Sequence, residues 1–346
     1  MRGRGLVLAM AAALAACAPT VQKPLLTIAS TEAPRFERDV FVSFDGARLG
    51  LQTWPAEGGP PWAVIVALHG MNDYSEAFYL AGPAWAKAGV TTYAYDARGF
   101  GKSPNRGLWA GEKLLTQDLR TAVALARRAH PGAIVAVVGD SMGSATAIAA
   151  FGSDDPPDAD RVVLTAPAVW GWSTLPDVYA ASLWTAAHTF PWRAVTPPRG
   201  VQRRIVASDN DAMLRKISRD PNMLFTTRID AVYGLVNLMN SASKKIGAVG
   251  GPVAFFYGAK DQVIPPNAAK VAARELRPGA RTGYYPNGHH MLLRDKSAAL
   301  VWTDVLAFIK DPAAPLPSGV GPWPPVEQAK GPTNGPAASE TLTQAR

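Results

Sequence analysis

The chain has 346 residues and a mass of 36.6 kDa, with 48% hydrophobic and 18% charged side chains. That is enough apolar material for a large buried core, which excludes wholesale disorder and a coiled coil. Thirty-five Lys and Arg against 27 Asp and Glu give a formal charge of +8, but the excess is scattered and forms no basic stripe of the kind nucleic acid requires.

Arg2 and Arg4 precede eleven uncharged, mostly aliphatic residues at 6–16. These are the charged and apolar regions of a secretory signal, too short to span a bilayer as a mature helix. The run ends Leu14-Ala15-Ala16-Cys17, and Cys17 is the only cysteine, so neither an intrachain disulfide nor a thiolate zinc cage can form. The ending resembles the bacterial lipobox, which implies removal of residues 1–16, lipidation of Cys17 and a lipid-anchored protein of the cell envelope. Ala18, where the associated sorting rule has Asp for inner-membrane retention, favours the outer membrane. Pro19 disfavours the competing reading, an ordinary signal cut after Ala18. Residues 17–35 are polar and punctuated by proline, a tether between membrane and folded body.

From residue 36 the pattern changes. Residues 38–44 and 48–54 flank Asp45-Gly46, a hairpin signal. Near-continuous apolar runs follow at 63–68, 90–95, 134–138, 162–165 and 253–257, as in strands buried on both faces of a parallel sheet. Helical spacing of Ala and Leu is clearest at 114–129 and 142–151. The fold class is α/β, a mostly parallel sheet begun by an antiparallel hairpin. The alternation breaks between about 168 and 250, where Trp170, Trp172, Trp184 and Trp192 fall without strand periodicity, so this stretch is expected to be an inserted helical lid. Its aromatic and aliphatic residues pack the lid itself or line an apolar pocket. Residues 311–346 hold eight prolines and four glycines and are expected to be disordered, leaving 36–310 as the folded domain.

Gly139-Asp140-Ser141-Met142-Gly143 stands between an apolar strand and an Ala-rich helix. A serine on such a sharp turn is a candidate nucleophile, and the small residues flanking it let strand and helix pass closely. A serine hydroxyl needs a base, and the histidines are His69, His130, His188, His289 and His290.

Here the chain resembles the α/β-hydrolase superfamily, in particular its monoacylglycerol lipase and lysophospholipase branch, often grouped with the serine aminopeptidases. The matching stretches are LHGMNDYS at 68–75, YAYDARGFGKSP at 93–104, VGDSMGSATA at 138–147, FFYGAKDQVIPP at 255–266 and GHHMLLRD at 288–295. The fold's chain order of serine, acid, histidine leaves His289 and His290 as base candidates. The family pattern sets its histidine directly before a short apolar run, which matches His290, and His289 becomes a pocket-wall or surface residue. The same order makes Asp261 the orienting acid, with Asp209, Asp211 and Asp230 as rivals only if the lid folds inward. The resemblance further implies an oxyanion hole from the backbone N–H groups of Met71 and Met142, a bracing role for His69, and structural roles for Asp96 and Arg98. His130 and His188 carry no functional signal. Arg203, Arg204, Arg215 and Lys216 read as solvated lid faces, with contact to phosphate headgroups as the alternative.

The expected activity is cleavage of acyl glycerols or lysophospholipids through an acyl-enzyme. No cofactor, metal or protein partner is implied. The alternatives are a peptidase or acyl thioesterase with the same triad, or a non-catalytic envelope module that binds lipid or a partner.

Overall fold

The computed structural model describes residues 18–25, 32–196 and 205–323. The leader 1–16, Cys17, Arg203, Arg204 and the chain beyond 323 lie outside the described residues. Among the described residues eleven strands run in chain order as β1 (Arg35–Phe36), β2 (Val40–Val42), β3 (Arg48–Trp54), β4 (Ala63–Leu68), β5 (Val90–Tyr95), β6 (Ile134–Asp140), β7 (Arg161–Thr165), β8 (Ala194–Val195), β9 (Thr227–Arg228), β10 (Val253–Gly258) and β11 (Arg281–Tyr285). Nine of them form one sheet in the order β1-β2-β3-β5-β4-β6-β7-β10-β11. β1 to β3 pair antiparallel, as does β3 with β5, and every later pairing in that sheet is parallel.

The central strands β4 and β6 are buried almost throughout, because helices cover both faces. The helix Met142–Phe151 is entirely buried, its Ala, Gly and Ser side chains letting it lie between the helices Gly111–Ala129 and Ile229–Lys245. The insertion holds the helices Asp177–Thr189, Asp211–Ile217 and Ile229–Lys245 and a short antiparallel pair, β8 with β9, which its sequence did not announce. β11 was also unannounced, since Arg-Thr-Gly-Tyr-Tyr lacks an apolar run; it sits at the sheet edge, paired only with β10.

Two expected boundaries change. Residues 311–323 are not outside the body. Trp323 is buried, stacked on Tyr257 at 4.7 Å and Tyr284 at 5.7 Å between centroids, and Ser318 N–H donates to Asp304 at 2.9 Å. One tryptophan can bury on the order of 150–250 Å², which offsets the ordering of a proline-rich segment that its average composition would leave free. Nor is the expected tether free over residues 18–25: Gln22 N–H donates to Trp109 O at 2.9 Å, and Leu25 N–H to Asp45 Oδ2 at 2.9 Å.

The structural reading of Asp96 and Arg98 has a concrete form. Asp96 Oδ1 accepts from Ser75 N–H and Oδ2 from Lys102 N–H, both at 2.8 Å, fixing the turn after β5. Arg98 is buried and forks onto two buried carboxylates, Asp45 (2.8 Å) and Asp118 (2.7 Å), joining the hairpin turn to the helix Gly111–Ala129. Removing one partner of a buried ion pair strands the other charge, at a cost of about 3–5 kcal/mol. Arg98→Ala strands two. It is expected to lower unfolding free energy by at least that amount in urea denaturation, whereas Lys113→Ala, at an exposed position of the adjoining helix, shifts the midpoint little.

Candidate active site

Open parallel sheets bind ligands at the carboxyl ends of their strands, and four such ends converge here. Ser141 follows β6 with φ 52° and ψ −111°, a left-handed conformation that costs a non-glycine residue about 1–3 kcal/mol and holds the hydroxyl at the mouth of the turn. Gly143 is required because a Cβ there would collide with the Leu68 carbonyl of β4. Asp261 follows β10 and His290 follows β11.

The structure brings these three together. His290 Nε2 lies 2.9 Å from Ser141 Oγ, and His290 Nδ1 lies 2.8 Å from Asp261 Oδ2. Asp261 Oδ1 in turn accepts from the N–H groups of Val263 (2.8 Å) and Ile264 (3.0 Å). With the carboxylate on Nδ1, the neutral ring carries its proton there and leaves Nε2 to accept from the serine. Burial alone pushes the His290 pKa down; the charge and hydrogen bond of Asp261, aided by the charge of Asp140, outweigh it and hold the value above that of an ordinary imidazole.

Met142 opens the helix after Ser141, where backbone N–H groups have no intrahelical acceptor. Met71 follows Gly70, and a Cβ on Gly70 would come within 3.3 Å of Ser141 Cβ, so this turn lies directly against the serine. His69 braces it. Nδ1 meets Gly70 O at 2.7 Å and Nε2 accepts from Ala97 N–H at 2.9 Å, partners that require a neutral ring, and burial lowers its pKa to match.

Three cavity-lining groups escaped the sequence reading. Arg294, four residues past His290, is buried and paired with Asp73 at 2.5 Å, with Asp140 at 4.0 Å. Charged side chains are ordinarily placed on the surface, and only the spacing of Arg294 after His290 could have flagged them. Burial raises the Asp140 pKa from 3.8 to about 6, with the charges of Arg294 and His290 opposing. At neutral pH its ionised form is therefore disfavoured in the fold by roughly 3 kcal/mol. A carboxyl raised this way lends stability below its unfolded pKa and loses it as pH climbs through its folded one. Asp140→Asn is expected to match the parent near pH 4 and to exceed it increasingly up to about pH 7, read by thermal melts across that range.

The other candidates are not at the triad. His289 is buried and lies against Asp295, neither lining the cavity nor on the surface as expected. His130 meets the Tyr93 hydroxyl and His188 the Trp184 carbonyl. Asp230 pairs with Arg228 and Asp209 accepts from Lys296 N–H, so neither competes for His290. Lys216 pairs with Glu76 at 2.5 Å, and Arg215 is exposed.

Above Ser141 opens a cavity of about 530 Å³. Its walls are largely apolar and come mainly from the insertion, among them Trp170, Leu175, Leu183, Leu235 and Met239. A strained serine, an imidazole and an acid in the order 141, 261, 290, set at the ends of parallel strands, define a serine hydrolase of the α/β-hydrolase fold. Residues 59–297 match the family described as serine aminopeptidase, S33, and the chain belongs to that family. A monoacylglycerol lipase of Mycolicibacterium smegmatis is 24% identical over 282 residues, 78% of this chain and 95% of that protein. A soluble variant of the Saccharomyces cerevisiae monoglyceride lipase, solved with a substrate analogue, superposes with TM-score 0.66 at 17% identity over 83% of this chain and 98% of its own. A Bacillus coagulans carboxyl esterase does so with TM-score 0.65 at 18% identity, covering 80% and 99%.

Proposed function

We propose that this chain hydrolyses carboxylic esters of acyl glycerols, monoacylglycerols foremost and lysophospholipids next, through an acyl-enzyme. The observation that carries the reading is the apolar cavity over Ser141, which suits an acyl chain and offers little to a polar peptide. None of Asp177, Asp209, Asp211 or Asp230 lines it, and of the two carboxylates that do, Asp73 is paired with Arg294 and Asp140 lies 4.0 Å from the same guanidinium, which opposes binding of a peptide's ammonium there. The insertion also exposes Trp184, Phe190, Trp192 and Phe225, large apolar groups that a lipid surface would cover.

Ser141 Oγ attacks the ester carbonyl as His290 Nε2 takes its proton, and the oxygen that becomes negative is held by the Met71 and Met142 N–H groups. Collapse breaks the bond to the glycerol oxygen, which leaves with the proton from His290. Water, deprotonated by the same imidazole, then releases the fatty acid and restores the serine.

Monoacylglycerols, lysophosphatidylcholines, acyl thioesters and aminoacyl amides of matched size test the reading, with Ser141→Ala as control. Serine-dependent kcat/KM highest on monoacylglycerols and rising with acyl length supports it, and faster turnover of amides or thioesters overturns it. The reading extends to location. A lipid on Cys17 would hold the enzyme at the envelope, with the outer membrane favoured and the catalytic domain outside the cytoplasm. Cys17→Ser is expected to release it from the membrane fraction, and unchanged retention would refute the anchor.

A further inference from the structure

Asp209, His289 and Asp295 take no part in the triad and stand between the insertion segment just before the helix Asp211–Ile217 and the loop that carries His290. One ligand atom from each lies within 4.8 Å of the others. The carboxylates of Asp209 and Asp295 are close enough to repel each other unless something positive stands between them. His289 Nδ1 is the telling atom. It is buried with no hydrogen-bond partner, on a side chain only 9% exposed, and it lies 3.6 Å from Asp295 Oδ2. That is too long for a hydrogen bond, but two donors bound to one tetrahedral zinc at about 2.1 Å stand about 3.4 Å apart.

The surroundings are those of a ligand set. Asp295 Oδ1 accepts from Ser208 Oγ–H at 2.6 Å and Oδ2 from His289 N–H at 2.6 Å, while Asp209 Oδ1 accepts from Lys296 N–H at 2.8 Å. Such outer hydrogen bonds orient carboxylates toward a metal. Asp209 is half-buried, so a short swing of its side chain closes the third edge.

We infer that Asp209, His289 and Asp295 form a binding site for one divalent transition metal, zinc in the first instance. An imidazole nitrogen with two carboxylates suits zinc better than calcium or magnesium, which take all-oxygen sets. The site is structural. It ties this insertion segment to the histidine loop, where Met291 N–H already donates to Ala207 O and Asn210 Nδ2 to Arg294 O, both at 2.9 Å.

The test uses the full chain without an affinity tag, dialysed against chelator and then titrated with zinc. The expected result is one equivalent bound, a rise in Tm with zinc that calcium and magnesium do not reproduce, and affinity reduced by more than about tenfold in Asp209→Asn and in His289→Gln, since loss of even an outer partner costs metal sites about 10–100-fold. Asp209→Asn removes a half-buried carboxylate and keeps its size, which guards against misfolding as the explanation. Ser141→Ala is expected to bind zinc like the parent, so the result stands whatever the substrate. No zinc-dependent rise in Tm, or binding by both variants equal to that of the parent, would overturn the site and leave His289 simply packed against Asp295.

Discussion

Ser141→Ala is expected to lower ester turnover by about a million-fold with the fold intact. The substitution keeps Cβ, so the turn at φ 52° is no more strained than before, and only the hydroxyl 2.9 Å from His290 Nε2 is lost. His290→Ala is expected to cost about as much, and the double variant no more than either single one, because nucleophile and base act as a unit. The remaining rate is expected to come from the proposed oxyanion donors and from the apolar part of the cavity wall, which keep their residues in both variants. Steady-state kcat on a monoacylglycerol, with circular dichroism to verify folding, checks this. Additive losses in the double variant would refute the pairing of the two residues.

Asp261→Asn is expected to lower kcat by about ten-thousand-fold for a different reason. Asp261 Oδ1 holds the N–H groups of Val263 and Ile264, and an asparagine oxygen would keep both. Its NH₂ must then face His290 Nδ1, which forces that nitrogen to accept and moves the ring proton to Nε2, where it blocks transfer from Ser141. The variant also removes the negative charge that holds the His290 pKa up. Whatever activity remains is expected to have its acidic limb at lower pH than the parent, because a less basic imidazole stays neutral further down. A pH profile of kcat/KM reads both effects, and a limb that moved upward would contradict the assignment of Asp261.

How far each residue could be placed in advance depends on how local its evidence was. The strand-turn-helix around Ser141 is written in consecutive residues, since glycines at 139 and 143 answer a steric need within the same turn. Asp261 and His290 each follow a short stretch whose motif and chain order identified them. The hairpin at Asp45-Gly46 and the parallel strands were legible for the same reason, as turn chemistry and apolar runs are properties of neighbouring residues. Of the two adjacent histidines, chain order left both open. Their side chains leave the loop in different directions, and the fold aims His290 at the serine and His289 at Asp295.

Everything that depended on distant partners was decided by tertiary structure. Arg294, Asp73 and Asp140 are charged residues that any composition argument sends to water, yet chain closure buries them together beneath the cavity. Trp323 lies in a proline-rich stretch that could not order itself, and it orders because β10 and β11 present Tyr257 and Tyr284 to its ring. Gln22 is held by Trp109, 87 residues away, and Leu25 by Asp45, 20 residues away. Pattern and motif determined which elements form and which serine is poised, because those rest on local sterics and periodicity. Which charges are buried, which segments are tied down and how the insertion roofs the serine rest on long-range complementarity, which no stretch of sequence carries alone.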